Sequence, residues 1–86
     1  MNEELEMMEE ITIADADDNI ESGVIHFWHV DAGDVVEEGD NLVDIKSGKR
    51  IVTVKAPCSG ILNEIFYEEG DEVYLDDVLA TIEPER

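Results

Sequence analysis

Apolar residues along this chain come in short runs, many spaced at every second position and cut by glycine-centred turns. That is the pattern of half-buried strands, not of helices. Ile11-Thr12-Ile13-Ala14 alternates and predicts a first strand. Asp15 to Ser22 is polar and reads as a loop. Gly23 opens a second predicted strand, Val24 to Val30. Gly33-Asp34 turns into Val35-Val36, and Gly39-Asp40 turns into Leu42-Val43-Asp44-Ile45. Ile51-Val52-Thr53-Val54 is β-branched throughout, which suits a pleated sheet. Pro57, having no N–H for a ladder, ends that strand within the turn Ala56-Pro57-Cys58-Ser59-Gly60. Ile61 to Tyr67, Val73 to Leu75 and Val78 to Ile82 are the remaining expected strands. The resulting division is an acidic flexible tail over residues 1–10, one domain over 11–83 and a frayed end from Pro84 to Arg86.

The two halves of the pattern match without a gap. At an offset of 37, Ser22-Gly23 recurs as Ser59-Gly60, Gly33-Asp34 as Gly70-Asp71, and Val36 as Val73. Asp40, Leu42 and Ile45 recur as Asp77, Leu79 and Ile82. Turn residues and apolar residues are both retained, so the repeat is structural. Two copies are too few for a solenoid. They fit a pseudo-twofold, closed β-structure, with four short strands per half around one core and edges protected by closure.

Composition narrows the function. With 86 residues the chain makes one small domain, and 24 acidic against 5 basic residues give a net charge of -19. Such a surface repels phosphates, which excludes nucleic acid as a partner. No apolar run reaches membrane-spanning length, so no membrane role is expected. The single cysteine, Cys58, excludes an internal disulfide and is expected to act as a small buried hydrophobe. The start, Met1-Asn2-Glu3-Glu4, has the wrong charge for a secretory or transit signal. The expected location is the cytoplasm, or the mitochondrial matrix if a transit segment has been removed.

Candidate chemistry is sparse. Asp15, Asp17 and Asn19 have the oxygen spacing that opens a calcium loop, but Ile20 stands where its glycine belongs and His26 where its bidentate Glu belongs. His26 and His29, three apart, face opposite ways in an ideal strand and share no metal. No nucleophile–base pair stands out, so neither a catalytic residue nor a metal site is assigned. One feature remains. Ser47-Gly48-Lys49-Arg50 joins two β-rich runs and lies between the matching halves, so it occurs once. With Gly48 and Lys49 as a two-residue loop, Lys49 stands at the apex of a hairpin. Lys46, Lys49 and Arg50 are expected to give that tip a locally basic character on an acidic body, with Lys55 farther down its strand.

The chain resembles the biotinyl/lipoyl attachment domains, most closely the lipoyl domains of 2-oxo acid dehydrogenase acyltransferase components. The resemblance rests on Gly23 with Trp28 five residues on, Ala32-Gly33-Asp34-x-Val36, Glu38-Gly39-Asp40-x-Leu42, Lys49, Ala56-Pro57-Cys58-Ser59-Gly60 and Glu69-Gly70-Asp71-x-Val73. It implies a flattened β-barrel, a barrel-sandwich hybrid of two four-stranded antiparallel sheets. In the family the modified lysine lies eight residues before the turn proline, and Lys49 lies eight before Pro57. The resemblance therefore implies a non-catalytic carrier with lipoate attached to Lys49 by a lipoate–protein ligase, and a fully closed small barrel is expected to be monomeric. Its implied partners are a thiamin-dependent decarboxylase, an acyltransferase core and a flavin dihydrolipoamide dehydrogenase. Gly48 and Arg50 depart from the Asp and Ala that usually flank a lipoyl lysine, and from the methionines that flank a biotinyl lysine. A biotin-loaded carrier for a carboxylase and an unmodified interaction module are the alternatives. A specific expectation follows for the departures, that Gly48 and the tip charge select a particular ligase or acyl donor.

Overall fold

The computed structural model describes residues 8–17 and 19–85, so the expected tail falls largely outside the described residues. Eight strands form: β1 (Glu9–Ile11), β2 (Ser22–Trp28), β3 (Val35–Val36), β4 (Asn41–Ser47), β5 (Arg50–Lys55), β6 (Gly60–Ile65), β7 (Glu72–Tyr74) and β8 (Ala80–Pro84). They make two four-stranded antiparallel sheets, ordered β1-β8-β6-β3 and β5-β4-β2-β7. Each sheet takes its last strand from the other half of the chain. β7 completes the sheet of β2 and β4, and β3 completes the sheet of β6 and β8. The repeat is thus a spatial twofold in which the halves exchange strands.

Equivalent hydrogen bonds confirm that symmetry. Gly33 N–H donates to Leu62 O at 2.7 Å, and Gly70 N–H donates to Ile25 O at 2.8 Å. In the matching turns, Asp34 and Asp71 accept from the backbone of Asp31 and Glu68, each at 2.8 Å. Asp40 and Asp77 accept from Glu37 and Tyr74, each at 2.9 Å. An aspartate that closes its own turn this way satisfies a backbone donor that no ladder reaches. Four of the 24 acidic residues therefore have a local structural use.

The core lies between the sheets and is wholly aliphatic. Ile25, Leu42, Val43, Ile45, Val54 and Val73 from one sheet meet Ile11, Val36, Leu62, Ala80 and Ile82 from the other. The arrangement is a flattened sandwich of the expected kind, but among the described residues no ladder joins the sheets into a fully closed barrel. The chain passes between sheets through its turns, such as the one at Gly33, and does not bend a continuous strand around a corner.

Several elements differ from expectation for local reasons. Ile13 is buried, as its alternation predicts, but it opens a 3-10 turn over Ile13–Asp15 and is not in a strand. The Asp15 carboxylate accepts from Thr12 N–H at 2.9 Å and closes that turn. β1 instead begins at Glu9, whose pairing with Ile82 draws in residues assigned by sequence to the tail. β8 runs through Pro84, which pairs with Gly60. A residue without an N–H fits there because β1 reaches only from Ala80 to Ile82, leaving Pro84 a neighbour on one side. Cys58 is half-buried, and burial, then the charges of Glu9 and Glu38, push its thiol up. Among the described residues no helix is long and apolar enough to cross a membrane.

Gly23 and Gly60 occupy equivalent places where β2 lies against β4 and β6 against β8. A Cβ on Gly23 would stand 2.5 Å from Ile45 Cγ2 and 2.9 Å from the Lys46 carbonyl oxygen. On Gly60 it would meet Ile82 Cγ2 and the Glu83 carbonyl oxygen. Backbone oxygens held in a ladder cannot swing aside. Gly23→Ala and Gly60→Ala are each expected to destabilise the fold by about 1–3 kcal/mol, read as a lowered urea midpoint. An unchanged midpoint would contradict this account of the strand contacts.

Candidate functional site

The hairpin is built by the β4–β5 ladder. Lys46 pairs with Ile51 and Ser47 with Arg50, leaving Gly48 and Lys49 as the loop. Gly48 has φ +63°, and no other kind of residue in the described chain has positive φ. Positive φ at the first loop residue and not at the second is the sign pattern of a type II′ turn, which favours glycine first. Open space surrounds Gly48, so backbone conformation selects glycine there, not crowding.

Lys49 is exposed at the apex. Among the described residues its amine is in neither of the two ion pairs present. The residues on either side of the loop are tied down. Ser47 Oγ donates to Ser22 O at 2.9 Å in a part-buried contact. Arg50 donates from a guanidinium nitrogen to Asp17 Oδ2, also at 2.9 Å. The other oxygen of Asp17 accepts from Asn19 N–H at 2.9 Å. That backbone donor first, and the Arg50 guanidinium second, hold the Asp17 carboxyl below its ordinary value of 3.8.

The expected basic tip is therefore smaller than its sequence suggests. Arg50 spends its charge on Asp17, leaving Lys49 at the apex and Lys46 on the sheet surface. Lys46 lies in a cross-strand row with Ile51, Val24 and Glu72, so cation, apolar and acidic side chains meet below the hairpin. Asp17 was legible only as part of a failed calcium loop. Its partner is 33 residues away, and Ser22 lies 25 from Ser47, so no local pattern reveals either support.

The other chemical candidates have structural partners. Trp28 is half-buried and its indole N–H donates to Tyr67 O at 2.9 Å. His29 Nε2 lies 3.0 Å from Asp44 Oδ1, which also accepts from the Thr53 hydroxyl at 2.7 Å. Burial raises the Asp44 carboxyl, but Thr53 and His29 outweigh it and leave it lowered. His26 has no such partner among the described contacts and acts on Asp44 only as the smallest of the charges that lower it. A bulge between Ile25 and Phe27 breaks the alternation. Among the described residues no three His, Cys, Asp or Glu side chains gather where they could hold a metal.

A family model described as "Biotin-requiring enzyme", covering biotin and lipoyl attachment, matches residues 9–82. The chain belongs to the biotin/lipoyl attachment-domain family. It is 36% identical over 72 residues to the dihydrolipoyllysine-residue succinyltransferase component of the 2-oxoglutarate dehydrogenase complex of Buchnera aphidicola, covering 84% of this chain and 18% of that protein. It is 35% identical over 74 residues to the dihydrolipoyllysine-residue acetyltransferase component of the pyruvate dehydrogenase complex of Staphylococcus aureus, covering 86% of this chain and 17% of that one. The chain thus spans under a fifth of the length of these relatives. The solved lipoyl domain of the Azotobacter vinelandii 2-oxoglutarate dehydrogenase complex superposes with a TM-score of 0.67 at 26% identity, covering 88% of this chain and 94% of that domain. Kluyveromyces lactis urea carboxylase superposes with a TM-score of 0.74 at 28% identity over 87% of this chain, which is 6% of that enzyme. As a member of this family the chain is a non-catalytic carrier domain, in keeping with its two-sheet fold.

The Asp17 contacts make a direct prediction. Because its folded-state value is lowered, Asp17 stabilises the fold above about pH 3.8, and the contribution is lost as pH falls through the lowered value. Arg50→Ala is expected to raise the Asp17 carboxyl toward 3.8 without reaching it, since Asn19 N–H remains. Carbon-detected NMR titration of the Asp17 carboxyl reads the shift, and an unchanged value would refute the pairing.

Proposed function

We propose that Lys49 is acylated by lipoate and that the chain serves a 2-oxo acid dehydrogenase-type complex as its swinging-arm carrier. The observation that carries the reading is an exposed lysine at the apex of a two-residue turn, with its amine outside every ion pair described. The relatives that are acyltransferase components of such complexes support it. The exposed amine fits the group, because an amide to the carboxyl end of lipoate needs an accessible nitrogen and no buried pocket. Lys49 Nζ gives up a proton and attacks the carboxyl carbon of adenylate-activated lipoate. The C–N bond forms as AMP leaves. When attached, lipoate supplies a dithiolane able to take up an acyl group and a pair of electrons.

The chain's own contribution is placement. A rigid hairpin base holds the arm's point of attachment, and exposure lets several active sites reach it. Tethering keeps the carried group at high effective concentration near each of them. The partners in this reading are a lipoate–protein ligase, a thiamin-dependent decarboxylase, an acyltransferase core and a flavin dihydrolipoamide dehydrogenase. The domain acts as a monomer, in the cytoplasm. Biotin is the alternative cargo, in keeping with the description of the matching family model.

Intact-mass analysis after co-expression with a lipoate ligase or with a biotin ligase tests the reading. One lipoyl group is expected with the first ligase, none with the second, and none on Lys49→Arg. A gain that survives Lys49→Arg, or that appears only with the biotin ligase, would overturn it.

A further inference from the structure

We infer that Arg50 and Asp17 are positioning residues for the modification of Lys49, acting through an ion pair that fixes the hairpin against the segment from Asp17 to Ser22. The inference rests on Lys49 being the acylated residue. Its basis is that both residues flanking the two-residue loop are anchored to this one segment. Ser47 bonds to Ser22 O, at the end of the segment, and Arg50 to Asp17, at its beginning, each at 2.9 Å. Asp17 is a prepared anchor. Its second oxygen is held by Asn19 N–H, which leaves Oδ2 aimed at the guanidinium.

The anchoring answers a specific weakness. Gly48 permits the turn but is the most conformationally free residue in a chain, and it immediately precedes Lys49. A loosely hinged tip would present its amine over a range of positions to an enzyme that recognises a folded shape. The Arg50 side chain is 64% exposed, so the pair is too accessible to decide whether the domain folds. An exposed pair of this kind biases a local equilibrium by about two- to fivefold. Gly48 and Arg50 therefore act together: the first shapes the turn and the second restrains it. The guanidinium beside Lys49, though its side chain is exposed, is engaged by Asp17 of its own domain.

A double-mutant cycle on the full chain tests this, with a lipoate–protein ligase, ATP and lipoate and with the domain as the varied substrate. Arg50→Ala and Asp17→Asn are each expected to raise the KM for the domain by about threefold with kcat unchanged, and the double variant to be no worse than either. Asp17→Asn keeps an acceptor for Asn19 N–H, and Arg50→Lys is expected to restore part of the loss. Wild-type kinetics in both single variants would overturn the inference. So would a loss in Arg50→Ala alone, or additive losses, since either means that Arg50 touches the ligase directly. An unmodified wild-type chain would instead sink the carrier reading, so the two failures are distinguishable.

Discussion

The close approach of β2 to β4 at Gly23 sets the base from which the hairpin rises. Without a side chain at Gly23, the β2 backbone lies directly on Ile45 and the Lys46 carbonyl. Ile45 then seals the core while Lys46 and Ser47 carry the strand out to the loop. Gly60 repeats the contact against Ile82 and Glu83 at the end of β8. The twofold therefore has two equivalent poles. One is the continuous hairpin of β4 and β5. At the other, the corresponding strands β8 and β1 belong to opposite ends of the chain. The continuous connection is where Lys49 sits.

Electrostatics follows the same division. Of the five basic residues, Lys46, Lys49, Arg50 and Lys55 all lie on β4, β5 or the turn between them. Several carboxylates are used locally, as turn-closing acceptors at Asp34, Asp40, Asp71 and Asp77. Asp17 is used at long range, on Arg50. A strongly acidic surface thus coexists with a hairpin whose lysine amine stays clear of the described ion pairs. That freedom matters chemically, since only the deprotonated amine is nucleophilic.

The architecture was legible because the repeat conserves turn residues as well as apolar ones. Gly33 and Gly70 reveal equivalent turns in the sequence, and the structure gives them equivalent hydrogen bonds. The strand at Ile11 was misplaced because Ile13 is buried from a 3-10 turn, and alternation reports burial without saying which backbone produces it. Pro84 resembles a stop in the sequence, which does not show that β1 is too short to flank it. At the hairpin, Gly48 announced the turn through its own backbone preference. The supports at Asp17 and Ser22 did not, since they depend on which distant segment the fold brings alongside. The tip charge depends on the same distant segment: a count of cations cannot show that Arg50 is paired with Asp17.

Peptide-level tandem mass spectrometry of the chain isolated from the cells that make it reads whether Lys49 is the one carrier position. A lipoyl amide is expected on Lys49, with Lys46 and Lys55 unmodified. Biotin on Lys49, a lipoyl group on another lysine, or Lys49 recovered only as the free amine would contradict it.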